Sequence, residues 1–296
     1  MCSNFCFFIW ICNVFYIYSS RNGGYRHSVK KLISFLLTYW VILLVVYIPT
    51  MHLVGVYKFN LKEFTFNLFG IETTYCKIAW YVRFYIELVL TFPIWFNVYI
   101  KLKQMFRKRY VAFCILILLE WSISAAIRLV GFVGSEFVVE YISYLTIVSF
   151  GFFFAENDII SNIRLLLEMK SQIFRICLSA VCISITFLAR GIIKNIAFVN
   201  MDFFYAPLFI VAVLLLLDII SESPINYILK KLGGYSLEIW FLHAIFFIGN
   251  STVQKIGYWP KVSILILIWV LILLYPISVL IKKISQWMLK KLKVIH

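Results

Sequence analysis

Charged side chains are what this chain has least of. Lys, Arg, Asp and Glu make up 14% of its 296 residues, against roughly 25% in soluble globular domains. Acidic residues are the scarcer sign, 13 against 28 basic ones. With 63% apolar and 19% aromatic residues, a soluble globular protein is excluded. Ten-residue segments of alternating polarity are missing too, which excludes a transmembrane β-barrel. There is no internal repeat, no low-complexity linker and no loop long enough for a soluble domain. The seven cysteines, Cys2, Cys6, Cys12, Cys76, Cys114, Cys177 and Cys182, show no paired metal-ligand spacing and read as small apolar fillers. No metal and no bound cofactor are expected.

Long apolar runs fill the chain instead. A bilayer core takes about 20 helical residues to cross, and the runs place nine spans at 5–18, 32–50, 78–100, 110–133, 137–155, 173–192, 203–220, 235–253 and 262–281. The expected fold is therefore all-α, a polytopic transmembrane helical bundle of about nine spans. It forms a single membrane domain over 1–296 with a basic tail at 282–296. The first run is short for a crossing helix. No basic residue precedes it and no small-residue cleavage site follows it, so it reads as a clipped span rather than a signal peptide.

A net charge of +15 would suit a nucleic-acid binder if it were spread over one surface, but it follows the spans. Alternate loops at 19–31, 101–109, 156–172, 221–234 and after 281 hold 4, 5, 2, 2 and 5 Lys or Arg, and the opposite loops hold six in all. The positive-inside rule then places the first group in the cytoplasm, with the N-terminus outside and the C-terminus inside. No nucleic-acid partner is expected. The tail segment from Lys282 to Lys291 has the pattern of an interfacial amphipathic helix on an anionic leaflet.

Ionisable residues inside such spans are costly and point to function. Arg83 and Glu87 lie four residues apart on one helix face, and they serve either as a structural ion pair or as the lining of a cavity for an anionic or sugar ligand. Glu120 and Arg128 share the fourth span, Glu120 being the better candidate because Arg128 is near the span end. Glu140, Arg175, Arg190 and Asp218 also fall near span ends, where the interface solvates them. In the eighth span a period of 3.6 aligns Ser236, Trp240 and His243 into one polar stripe. His243 lies about 12 Å from the start of that helix and is the one histidine in an apolar run. It is either a core histidine bonded to a neighbouring helix or a functional group. Glu238, in the first turn after Gly233-Gly234, complements the helix N-terminus.

The stretch Leu232-Gly233-Gly234-Tyr235-Ser236-Leu237-Glu238-Ile239-Trp240-Phe241-Leu242-His243 resembles the penultimate-span signature of the acyltransferase 3 family, polytopic bacterial enzymes that acylate cell-surface glycans. Other pieces follow in family order. Trp80-Tyr81-Val82-Arg83-Phe84-Tyr85 through Phe92-Pro93, Phe150-Gly151-Phe152-Phe153-Phe154-Ala155 and Tyr205-Ala206-Pro207-Leu208 all fit. The segment from Phe7-Phe8 through Arg26-His27-Ser28-Val29-Lys30-Lys31-Leu32 is similar to the family's second span and its basic loop. Family members usually begin with a span carrying an arginine and, eleven positions later, a histidine; this chain has no such pair. The expectation is that this span lies upstream of Met1 or has been lost, leaving a truncated or inactive form.

The resemblance implies a protein of the bacterial inner membrane, multi-pass with a cytoplasmic C-terminus. It would move an acetyl or similar short acyl group from acyl-CoA to a hydroxyl of a surface polysaccharide or its lipid-linked precursor. His243 would serve as base, or as partner to the family's other histidine. Arg83, Glu87, Trp80, Tyr81, Glu120, Ser236 and Trp240 would bind substrate, and Arg26, Lys30 and Lys31 would attract the phosphates of acyl-CoA, a co-substrate rather than a bound cofactor. For Trp80, Tyr81 and Trp240, ordinary apolar packing is the plain alternative to stacking on sugar or adenine rings. A rival reading is a polysaccharide or lipid-linked sugar transporter, with Arg83, Glu87, Glu120 and His243 along a path. A glycan polymerase is disfavoured by the short outer loops.

Overall fold

The computed structural model describes residues 24–55, 59–192, 202–247 and 252–292. Every regular element among them is helical. In chain order these are α1 Gly24–Ile42, a π-turn Leu43–Tyr47, α2 Ile48–Val54, α3 Leu61–Leu68, α4 Trp80–Met105, α5 Arg109–Val130 and α6 Ser135–Glu156. Then come α7 Ile159–Glu168, α8 Gln172–Ile192, α9 Asp202–Ile219, α10 Pro224–Gly233 and α11 Ser236–His243 with a 3-10 turn Ala244–Phe247. The last two are α12 Thr252–Gly257 and α13 Ser263–Lys291.

Among the described residues six helices are long and apolar enough to cross a bilayer: Val29–Val54, Trp80–Met105, Arg109–Val130, Ser135–Glu156, Gln172–Ala189 and Ser263–Lys291. Tyr205–Ile219 and Ser236–Phe247 are apolar but shorter. Of the nine expected spans, the first, at 5–18, lies outside the described residues. The eighth, read as one helix over 235–253, tightens after His243 into the 3-10 turn, and α12 starts at Thr252. Three stretches read as plain loops carry helices: α3, α7 and α10. The apolar side chains Ile264, Leu265, Leu267, Ile268 and Ile272 of α13 stand exposed, as on a helix set against hydrocarbon.

The chain divides into two compact units, one of residues 24–90 with 228–292 and one of residues 91–227. In the first, a cluster of tyrosines joins distant segments. Tyr39, in the last turn of α1, donates to the carbonyl of Asn67 (2.7 Å), and Tyr47, in the π-turn, donates to the carbonyl of Phe241 (2.7 Å). Both side chains are buried, so each hydroxyl satisfies a polar group that burial would otherwise strand. Phe35 and Tyr39 pack on Phe241, with ring centroids 5.5 and 5.1 Å apart. Asn60 caps α3 by accepting from the amide of Lys62. In the last turn of α3 the buried Asn67 side chain bonds the amide of Tyr75 (3.1 Å) and the hydroxyl of Thr74 (2.6 Å), which fixes the loop that leads into α4.

In the second unit the end of α4 is tied to the end of α6, where Glu156 accepts from Tyr99 and Lys103. The rings of Phe113 and Phe153 stack at 4.2 Å. Helices α8 and α9 run antiparallel, with Ser179 bonded to the carbonyl of Ala212 and Tyr205 to that of Ala189. Arg164 of α7 reaches Asp218 of α9 with two hydrogen bonds (3.0 and 2.6 Å). This paired fork holds the amphipathic α7 alongside α9.

Candidate functional site

Of the residues expected at the site, Trp80, Tyr81, Arg83, Glu87, Ser236, Trp240 and His243 lie in the first unit, where Tyr81 of α4 meets Trp240 of α11. Gly233-Gly234 ends α10 and lets the chain turn directly into α11, whose face at 240 and 243 is set by helical period alone. His243 is half-buried, and its Nδ1 is hydrogen-bonded to the carbonyl of Trp240. A carbonyl only accepts, so Nδ1 carries the proton and Nε2 is left with its lone pair. One turn earlier, the indole of Trp240 meets Tyr81 edge-on (centroids 4.8 Å) and Phe241 (4.9 Å). The Trp240 Nε1–H is buried and has no hydrogen-bond partner among the described residues.

From α4, the unit receives Trp80, Tyr81, Arg83 and Glu87. The Arg83 Nε lies 3.5 Å from Glu87 Oε1, with the arginine side chain 13% and the glutamate side chain 35% exposed. The expected pair thus exists. Tyr81 is fully buried beside Tyr85, and Trp80 packs edge-on against Tyr81 at 5.9 Å. Tyr81 is therefore the bridge between the α4 group and Trp240. Ser236 sits exposed in the first turn of α11. Lys30 and Lys31 lie half-buried in α1, and the side chain of Arg26 lies outside the described residues. Glu120 belongs to the other unit, buried between α5 and α6.

Three features escaped sequence reasoning. Glu238 is buried, 5% exposed, with Lys282 of α13 as its opposing charge. Lys282 also donates to the carbonyl of Gly234 and stands over the Tyr235 ring at 4.8 Å. The third is Cys76, in the loop before α4. Burial pushes its thiol up to about 11, while the neighbouring Tyr47 hydroxyl and the amides of Ile78 and Ala79 pull it back. The thiolate is the reactive form, so Cys76 is expected to resist maleimide at pH 7 in folded protein and to react on denaturation. Rapid labelling of the folded protein would show that the loop is open. Among the described residues no group of three or more His, Cys, Asp or Glu is placed to hold a metal ion. No family model, curated protein or solved structure matches the chain.

Proposed function

We propose that the chain is an integral membrane acyltransferase that moves a short acyl group, acetyl in the simplest case, from acyl-CoA to a hydroxyl of a surface polysaccharide or its lipid-linked precursor. The observation that carries this reading is the His243 imidazole, held by the Trp240 carbonyl so that its basic Nε2 is free for proton transfer. The resemblance of residues 232–243 to the acyltransferase 3 signature supports it.

The chemistry needs a base and a donor for the oxyanion. His243 Nε2 takes the proton of the sugar hydroxyl as its oxygen adds to the thioester carbonyl. The tetrahedral intermediate collapses, the C–S bond breaks, and the proton passes from His243 to the departing thiolate. The buried Trp240 Nε1–H, with its bond unspent, and the Arg83 guanidinium are the donors for the developing negative charge. Glu87 holds Arg83 in place. Trp80 and Ser236 contact the acceptor sugar, with the buried Tyr81 packed behind Trp80, and the basic start of α1, with Arg26, Lys30 and Lys31, draws in the acyl-CoA phosphates.

This reading places the protein in a bacterial inner membrane with nine spans, the shorter α9 and α11 among them, and with the α13 tail in the cytoplasm. Membranes carrying the chain, given acetyl-CoA labelled in the acetyl group, are expected to transfer base-labile label to the glycan fraction. Unlabelled glycan together with loss of glycan export on deletion would favour the transporter instead.

A further inference from the structure

Among the described residues Glu120 is the one acidic side chain buried completely in a span, 0% exposed between α5 and α6. Its Oε1 accepts from Ser149 at 2.7 Å, and Thr146 one turn earlier on α6 also faces it. Its Oε2 has no hydrogen-bond partner among the described residues, and neither has the hydroxyl of Ser124, which is 1% exposed and one turn further along α5. Residues four apart share a helix face, so the two unsatisfied oxygens lie on the side of α5 that carries Glu120.

No described cation is paired with this carboxylate. The basic residues of α5, Arg109 and Arg128, are eleven and eight positions away, and the acidic residues of α6, Glu136, Glu140 and Glu156, are thirteen, nine and seven from Ser149. Each is roughly 10 Å or more along its helix axis. A bare carboxylate buried in a span with no opposite charge is strongly unfavourable, as for any unpaired buried ion. Hydrogen bonds from hydroxyls offset part of that and cancel none of the charge.

We propose that Glu120, Ser124, Thr146 and Ser149 form an exchange site for a monovalent cation, a proton or a sodium ion, which neutralises the Glu120 carboxylate inside the membrane. The oxygen-only donor set suits a hard cation, and Glu120 Oε2, which has no partner among the described residues, is the oxygen left to take it. The site is independent of the acyl-transfer reading, since none of its residues belongs to the unit that holds His243.

Dicyclohexylcarbodiimide, an apolar reagent that adds to protonated carboxyls, tests the site in native membranes. The adduct is located by mass spectrometry of the peptide holding Glu120. Labelling is expected at pH 6. If the ligand is a proton, labelling falls by up to about tenfold per pH unit once the site empties and is equal in sodium and choline chloride. If it is sodium, sodium chloride protects and choline chloride does not. Absence of the adduct at pH 6, with the same peptide labelled after denaturation, overturns the proposal, as does labelling indifferent to both pH and sodium. Glu120→Gln supplies a second readout. Its melting temperature in detergent is expected to lose the part of the pH or sodium dependence that the unchanged protein shows. Identical dependence in both proteins overturns the proposal as well.

Discussion

Gly70→Ala is expected to destroy the fold of the first unit, with loss of roughly 3–5 kcal/mol from backbone strain and overpacking combined. Gly70 follows α3 with φ of +67°, a conformation in which any Cβ is crowded by its own backbone. The surroundings add a harder obstacle. A Cβ built there would stand 2.1 Å from the carbonyl oxygen of Ala79 and 2.8 Å from the amide of Arg83. Both are backbone atoms, so no rotamer change relieves the contact, and the start of α4 must move. Tyr81 and Arg83 move with it. Gly55 supplies the control, because it also has positive φ, +69°, but a Cβ there meets nothing within 4 Å. Gly55→Ala is thus expected to cost only the conformational share, about 1 kcal/mol. Melting of the two variants in detergent and their accumulation in membranes separate the cases. Equal behaviour would mean that the loop after α3 does not lie against α4.

What the sequence revealed and what it hid divide along one physical line. Contacts within a helix are set by its period, so the Arg83–Glu87 pair and the shared face of Trp240 and His243 were readable from spacing. Apolar length foretold α1, α4, α5, α6, α8 and α13 as apolar helices, but α1 starts at Gly24 rather than 32, and α13 runs unbroken to Lys291 through the segment expected as a separate amphipathic tail. Helices α7 and α10 were hidden because their polar and apolar residues balance, which on a membrane scale looks like loop. Yet α7 leaves Leu165, Leu166 and Met169 exposed, the composition of a helix lying along an interface. The pairings that build the first unit were hidden for a different reason. Tyr47 meets the carbonyl of Phe241 across 194 residues, and Ser149 meets Glu120 across 29. Nothing in a single sequence encodes which of 18 tyrosines will find which carbonyl, since that depends on helix packing. The break after His243 was equally invisible, for residues 244–247 are as apolar as those before them.

His243→Ala is expected to lower acyl transfer by about 10²–10⁴-fold, the usual contribution of a general base, with glycan export unchanged. Alanine alone would not separate a base from a residue that merely holds α11, because it removes both the Nε2 lone pair and the bond to Trp240. His243→Asn makes the distinction. An asparagine amide stands near the position of Nδ1–H and is able to donate to the Trp240 carbonyl, but it offers no basic nitrogen. If His243 is the base, the asparagine variant is as slow as the alanine variant while melting close to the unchanged protein. If His243 only positions Trp240 against Tyr81, asparagine restores most of the rate. Trp240→Phe completes the test: it keeps the ring against Tyr81 and deletes the one buried indole N–H of α11 that lacks a partner. Loss of an oxyanion donor costs about 10²–10³-fold in turnover, so a large fall in turnover with an unchanged KM for acyl-CoA would assign that N–H to the transition state. A fall in stability without a fall in turnover would return Trp240 to the packing of Tyr81 and Phe241, and would leave His243 acting with Arg83 alone.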